Sequence, residues 1–473
     1  MRRSWVTLAA LLSSACSLAP DYRPPAITAP TQYKEAPGWA AATPLDAAPR
    51  GQWWQAFGDP VLDDLVARAE RASPTLAAAL ARYDQARATA RIEGAALLPT
   101  VDAYASIARE RLSGNRPVAT GGATTYNVGQ VGGTLSYEID LWGRIRNRVR
   151  AAKAEADASD ADLAAAKLSI AANVADAYLR LRGLDAEARL LQRSADAFQR
   201  AYDLTSTRHD GGLASGVDVN RSRTLLGNAR AQIAEIANQR ATTEHELAAL
   251  TGEVASTFSI APVDHIPAPP AYAQGLPSEL LQRRPDVAAA ERRMLAANAR
   301  IGVARAAYFP TLDLAGSGGV QAARGDLFSS PSVFWGLGPL STVLNLFDGG
   351  RRRAQERLSR AEYDELAAGY RDTVLGAFRE VEDSLAAQRL LAQQAVEQRG
   401  AADAAARTSD LALTRYRDGA ADYLEVTTAQ TDALVAARAT LSVETRRARA
   451  AVALVRALGG TPQPEVPEAG AGG

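Results

Sequence analysis

The chain has 473 residues, enough for several ordinary domains or for one large elongated body. Lysine plus arginine equals aspartate plus glutamate at 53 each, so there is no basic field to gather nucleic acid and no acidic tail. Aromatic residues make up only 6% and alanine dominates, a balance that suits long, closely packed helices better than a conventional globular core.

Arg2 and Arg3 precede a short apolar run, Trp5 to Leu12, that ends in Ser13, Ser14 and Ala15. Residues 1–15 read as an export signal, too short to span a bilayer. Cys16, the only cysteine, follows at once, so no intramolecular disulfide exists and the thiol needs another role. Its place resembles the lipobox of bacterial lipoproteins, in which the cysteine becomes the diacylated first residue of the mature chain. Ser13 stands where that pattern prefers leucine, and Ser17, rather than aspartate, follows the cysteine as in lipoproteins sorted to the outer membrane. Pro20 to Pro49 read as an extended strap, and 16–59 are assigned to anchor and strap.

A helix from about Pro74 to Leu97 runs into Pro99, which ends it. Val131, Gly133, Leu135, Tyr137, Ile139 and Leu141 then alternate with Gly132, Thr134, Ser136, Glu138 and Asp140, the period of a strand with one apolar face. A partner around Val101 to Arg111 alternates less cleanly, and Gly-rich Ser113 to Thr125 predicts the loop between them. No proline lies between Pro117 and Pro262, and helix formers fill that interval except at His209 to Ser215. This predicts a helical hairpin whose first arm, Arg144 to Arg208, extends on the order of 100 Å. Such an arm is several times the roughly 30 Å bilayer core and must stand outside it.

Proline-rich 262–276 reads as a connector, after which the series starts again. A helix from about Pro285 to Ala307 meets Pro310; strands are expected around Thr311 to Gln321 and Val333 to Phe347, joined by Gly316 to Pro331. A second proline-free hairpin breaks at Asp418 to Asp422, and 461–473 form a flexible tail. Ala96 to Asp102 reappears as Ala307 to Asp313. Arg208, Gly212, Val217, Asp218 and Val219 match Arg415, Gly419, Leu424, Glu425 and Val426 at one constant offset. Two matches in the same order imply duplication, with repeats over 60–261 and 277–460.

Four strands cannot cross a membrane alone, because an open sheet leaves edge amides and carbonyls unpaired in lipid. Two copies would close a barrel whose interior side chains fill; three give twelve strands and a lumen. Tyr137, Trp142, Tyr308, Phe309, Phe334, Trp335 and Phe347 near the strand ends fit interfacial aromatic girdles.

The run Leu281-Gln282-Arg283-Arg284-Pro285-Asp286-Val287, continuing through Ala297 to Ala304 and on to Phe309-Pro310, resembles the outer-membrane factor family of TolC-like and NodT-type efflux lipoproteins. Tyr137 to Arg146 resembles that family's strand-to-helix junction and Cys16 to Pro24 its lipidated start; together the resemblance spans about Cys16 to Gly460. It implies a mainly α fold with membrane β: four strands plus long helical hairpins per subunit. Three subunits would form a twelve-stranded β-barrel continued by a periplasmic α-barrel. It further implies an outer-membrane homotrimer, a periplasmic adaptor and an inner-membrane pump of the RND type, exporting drugs or other small molecules.

The same resemblance puts the hairpin turns at the periplasmic tip. Arg208, Gly212, Arg415 and Gly419 then belong to adaptor-docking turns, and Leu424 takes the place of an apolar constriction with Val217 as its counterpart. Thr428 stands at the family's acidic gate position and Thr431 at a following basic one, so a mainly apolar constriction is expected. Arg144, Arg146, Arg148 and Arg150, and Arg351 to Arg353, follow the strand pairs, where positive charge opposes the helix dipole by about 0.3 to 1 kcal/mol each. Anionic lipid headgroups, or pairing along the helix with Glu155 and Glu356, would offset this. Trp142, Arg144, Phe347 and Arg351 are the expected membrane-interface residues.

No catalytic, cofactor or metal site is expected. His209, His245 and His265 lack ligand spacing, Glu380 and Asp383 read as a solvated helix face, and no phosphate loop or nucleophile elbow occurs. Two alternatives share some features: the channel of a type I protein-secretion system, against which Cys16 weighs, and a structural periplasmic coiled-coil lipoprotein, which explains neither strands nor duplication.

Overall fold

The computed structural model describes residues 17–25, 34–35, 51–115, 123–269, 284–323 and 332–460. The export signal, Cys16, most of the strap, Leu281 to Arg283, parts of the strand-joining loops and the tail lie outside the described residues. A turn of 3-10 helix (Trp53–Phe57) leads into α1 (Pro60–Ala72) and α2 (Pro74–Ala95). Then come β1 (Thr100–Leu112), β2 (Thr124–Glu138), α3 (Arg144–Asp210) and α4 (Gly216–Leu250). The second series is α5 (Pro285–Ala306), β3 (Thr311–Ala323), β4 (Ser332–Val343), α6 (Arg351–Arg417) and α7 (Tyr423–Ala457). Helices at equivalent places have equal lengths: 22 residues in α2 and α5, 67 in α3 and α6, 35 in α4 and α7. Among the described residues no helix is long and apolar enough to cross a membrane.

Two differences from expectation have physical causes. Helix α1 falls where no helix was foreseen; Asp59 caps it by accepting the amides of Val61 and Leu62, Pro60 fills its first position, and Leu62, Leu65 and Val66 are fully buried. Over Gly316 to Gln321, where an expected strand and an expected loop overlap, the chain is strand, and it continues as strand to Ala323. Its glycines serve close strand contact: a Cβ on Gly319 would lie 2.3 Å from the Val131 carbonyl oxygen, and one on Gly132 would lie 2.7 Å from that of Gly318.

The chain forms two compact units. One (Met1–Ala26, Arg82–Asp160, Ala289–Arg371) holds the four strands as an antiparallel meander, β1-β2-β3-β4, with one register shift between Leu314 and Gly316. In the same unit, Ala151 and Ala154 of α3 pack on Ala296 and Ala299 of α5, small residues that allow close helix approach. The segment after Cys16 is fastened in this unit too. Asn298 donates to the Pro20 carbonyl at 2.8 Å, Arg305 to that of Leu18 at 3.2 Å, and the Ser17 hydroxyl to Asn147 at 3.1 Å.

The other unit (Ile27–Ala81, Ala161–Ala288, Asp372–Gly473) has the larger core. There Trp53, Leu62 and Leu65 meet Val174, Tyr178 and Leu181 of α3, Leu247 of α4, and Val452 and Val455 of α7. Tyr178 donates to Asp59 at 2.5 Å. Buried Arg182 pairs with Asp185 at 2.9 Å, and Asp185 also receives Arg240 at 2.7 Å. Both arginines donate to carbonyls just ahead of the connector, Ala261 and Ile260, which ties that segment to α3 and α4.

Candidate functional site

Directly paired residues in a sheet share a face, so the register sorts every strand side chain. One face carries the rows Val101–Leu135–Gly316–Leu337, Ala103–Gly133–Gly318–Trp335 and Ala105–Val131–Val320–Val333, without one polar side chain. The other carries Asp102–Thr134–Ser317–Gly336 and Ser106–Gln130–Gln321–Ser332, with Tyr104–Gly132–Gly319–Phe334 between them. The apolar face is unbroken over these rows, although Arg109 and Arg111 of β1 and Asn127 and Thr125 of β2 continue the same face beyond them. Trp335 is 81% and Ile107 87% exposed in the isolated chain, and β1 and β4 each have one unpaired edge. An apolar face this continuous needs an apolar surround, and the open edges need partner strands.

At the strand-to-helix junctions, the side chain of Trp142 stacks on Phe309 at 4.7 Å and its indole donates to the Pro310 carbonyl at 2.8 Å. Arg144, Arg146 and Arg148 find partners other than Glu155 and Glu356. Arg144 pairs with Glu138, Arg146 with Asp140 at 3.1 Å, and Arg148 with Glu93 at 2.7 Å. Glu155 and Glu356 instead hold Arg300 and Arg305. Carboxylates at and just after the end of β2 and on α2 thus offset the unfavourable charge at the start of α3. Helix α6 begins likewise: Asp348 accepts the amides of Gly350 and Arg352 and the Arg352 guanidinium at 2.7 Å. Arg351 and Phe347 are exposed, the latter by 87%.

Arg284, quoted above only as part of a motif, is buried where α5 begins. It binds Asp286 at 2.7 Å, Glu380 at 2.7 Å and the Ala457 carbonyl at 3.0 Å, joining α5 to α6 and to the end of α7. Glu380 is therefore a structural partner and not merely part of a solvated face. Burial pushes the Asp286 carboxyl up, but the hydrogen bond and charge of Arg284 outweigh it and hold the group below the usual carboxylate range.

Both hairpin turns have the same backbone. Leu213 donates to the Arg208 carbonyl at 2.7 Å and Ala420 to that of Arg415 at 2.8 Å, closing Schellman loops through Gly212 (φ +74°) and Gly419 (φ +76°). The equivalent arginines are used differently. Arg208 reaches across to the Tyr416 carbonyl at 2.5 Å and lies over the Tyr416 ring at 4.7 Å, whereas Arg415 pairs with Glu425 at 2.6 Å within its own turn. Tyr416 packs edge-on against buried Tyr423, with Val426 and Ala201 completing the cluster. This cluster was missed in the sequence, although a signal existed: at the constant offset the two tyrosines face His209 and Gly216.

Val217 and Leu424 come together in one cleft of about 530 Å³, whose polar lining includes Asn220, Arg221 and Thr427. Thr428 is exposed on α7 and is not part of that lining.

The Outer membrane efflux protein family matches the chain twice, over residues 65–253 and 276–460. A relative from Pseudomonas aeruginosa, the pyoverdine export outer membrane protein OpmQ, is 36% identical over 96% of this chain and 95% of its own. TtgC of Pseudomonas putida, a probable efflux pump outer membrane protein, is 32% identical over 97% and 96% respectively. The solved structure of the outer-membrane channel OprN superposes with a TM-score of 0.86 at 31% identity, covering 95% of this chain and all of that one.

Proposed function

Since the chain belongs to the outer membrane efflux protein family, we propose that three copies form a passive duct that carries drugs or other small molecules out of the cell. The fold is TolC-like and the protein is an outer-membrane efflux component, not an enzyme. The observation that carries the assembly is the sheet, with one face apolar over its central rows, a more polar opposite face and two open edges. Pairing β1 of one copy with β4 of the next removes both edges, turns the apolar face to lipid and lines a bore with the polar rows. Twelve strands leave that bore open where eight would fill it.

Within this reading, the repeats over 60–261 and 277–460 supply alternate hairpins to a periplasmic tube. The turns at Arg208–Gly212 and Arg415–Gly419 seat an adaptor that couples the duct to an inner-membrane pump of the RND type. Val217 and Leu424 narrow the tip, where Thr428 leaves the usual carboxylate ring absent. A lipid on Cys16 anchors the strap in the membrane. Pyoverdine export by OpmQ and efflux by TtgC support small molecules as cargo.

Two measurements test the assembly. The purified protein should have the mass of three chains and conduct in planar bilayers; a protein of single-chain mass that never conducts would sink the proposal. Deleting the gene should raise drug susceptibility, restored by wild type and less fully by Cys16→Ala.

A further inference from the structure

The register assigns two charges to the apolar side of the sheet. Arg109 and Arg111 of β1 face the same way as Val101, Ala105 and Ile107, opposite the uncharged Asn127 and Thr125 of β2. Glu110 between them faces the other way and accepts the Tyr126 hydroxyl at 2.8 Å. Both arginines are exposed, and among the described residues no carboxylate pairs with either. They stand one pleat apart, about 7 Å, so each raises the cost of the other's charge until an anion joins them.

Their height follows from the strand. Tyr137 ends the apolar face of β2 on the helix side, and Asn127, opposite Arg109, lies about ten residues away, roughly 33 Å of strand. At a tilt of about 40° this is about 25 Å of height, the depth of a membrane-facing apolar band. The arginines lie at the far rim of that band, on the lipid side and at the end remote from the helices. An arginine at mid-bilayer on a barrel costs about 2 to 4 kcal/mol, but near the interface only about 0 to 1.

We infer that Arg109 and Arg111 form a binding site for the phosphate-bearing headgroup of a lipid in the outer leaflet. The inference rests on the outer-membrane barrel proposed above. A guanidinium fork matches paired phosphate oxygens, and acyl chains lying along Val101 to Ile107 deliver the headgroup to the rim. A free anion has no such delivery.

Native mass spectrometry of the full-length protein with diphosphoryl lipid A, and with the same lipid dephosphorylated, tests this. Wild type should retain the phosphorylated lipid in preference, and the double variant Arg109→Gln/Arg111→Gln should lose roughly tenfold or more in retention. Arg109→Lys/Arg111→Lys, which keeps charge but not the fork, should fall between them. Equal retention by wild type and the glutamine variant, indifference to the phosphates, or full displacement by millimolar inorganic phosphate would each overturn the site. Conductance recorded on the same samples separates the two readings: a conducting wild type that ignores lipid phosphate refutes this site alone, and one that never conducts refutes the duct.

Discussion

Gly319 and Gly316 sit three residues apart on β3 and differ in what surrounds them. A Cβ on Gly319 would lie 2.3 Å from a backbone oxygen, whereas one on Gly316 would meet its nearest atoms at 3.7 Å. Gly319→Ala should therefore lower the melting temperature and the yield of assembled protein, while Gly316→Ala should be close to neutral; equal effects in a thermal melt would contradict the close approach. Here the sequence supported two overlapping expectations, a strand as far as Gln321 and a loop from Gly316, and the strand is what forms. A run of glycines looks like loop, and only the register shows that these glycines lie where strands crowd. Asp286 gives a pH prediction. Its folded-state carboxyl titrates below the unfolded one, so its contribution is present above about pH 4 and is lost as pH falls through the folded value. Asp286→Asn should melt below wild type at pH 7, and the gap should close below about pH 4. A gap independent of pH would assign the effect to packing.

At the scale of elements, the hairpins were legible because prolines are absent where helices run, and Gly212 and Gly419 mark where they stop. The starts at Pro74, Arg144 and Pro285 and after the two turns were legible as well, whereas the caps that fix them depend on one side chain meeting one amide. Ser215 and Asp218 form a capping box at α4, while Asp422 caps α7 through the Glu425 amide at 3.0 Å. Ser215→Ala should cost about 1 kcal/mol and speed hydrogen exchange in the first turn of α4; unchanged exchange there would show the cap to be idle. Helix α1 escaped notice because its thirteen residues follow a proline-rich strap without a long periodic pattern. Strand β4 ends at Val343 and not at Phe347, since Asp348 and the glycines after it serve the start of α6.

For the molecule as a whole, sequence supplied the duplication, the strand pairs and the resemblance, which together were enough for the fold. What it could not supply were contacts between residues far apart in the chain, such as Arg284 with Glu380 or Arg208 with Tyr416. The proposed constriction belongs to this scale. Leu424→Ala should raise conductance of the closed duct, and Leu424→Ala/Val217→Ala should raise it further because both line one cleft. Conductance unchanged in both variants would move the constriction elsewhere.

The turns built on Gly212 and Gly419 share a backbone, yet only the second carries a pair of edge-on tyrosines, clasped by Arg208 of the first. In the proposed ring of three chains these two kinds of turn would alternate, so six similar hairpins would have threefold and not sixfold symmetry. Any partner that gripped such a ring would meet two kinds of handhold.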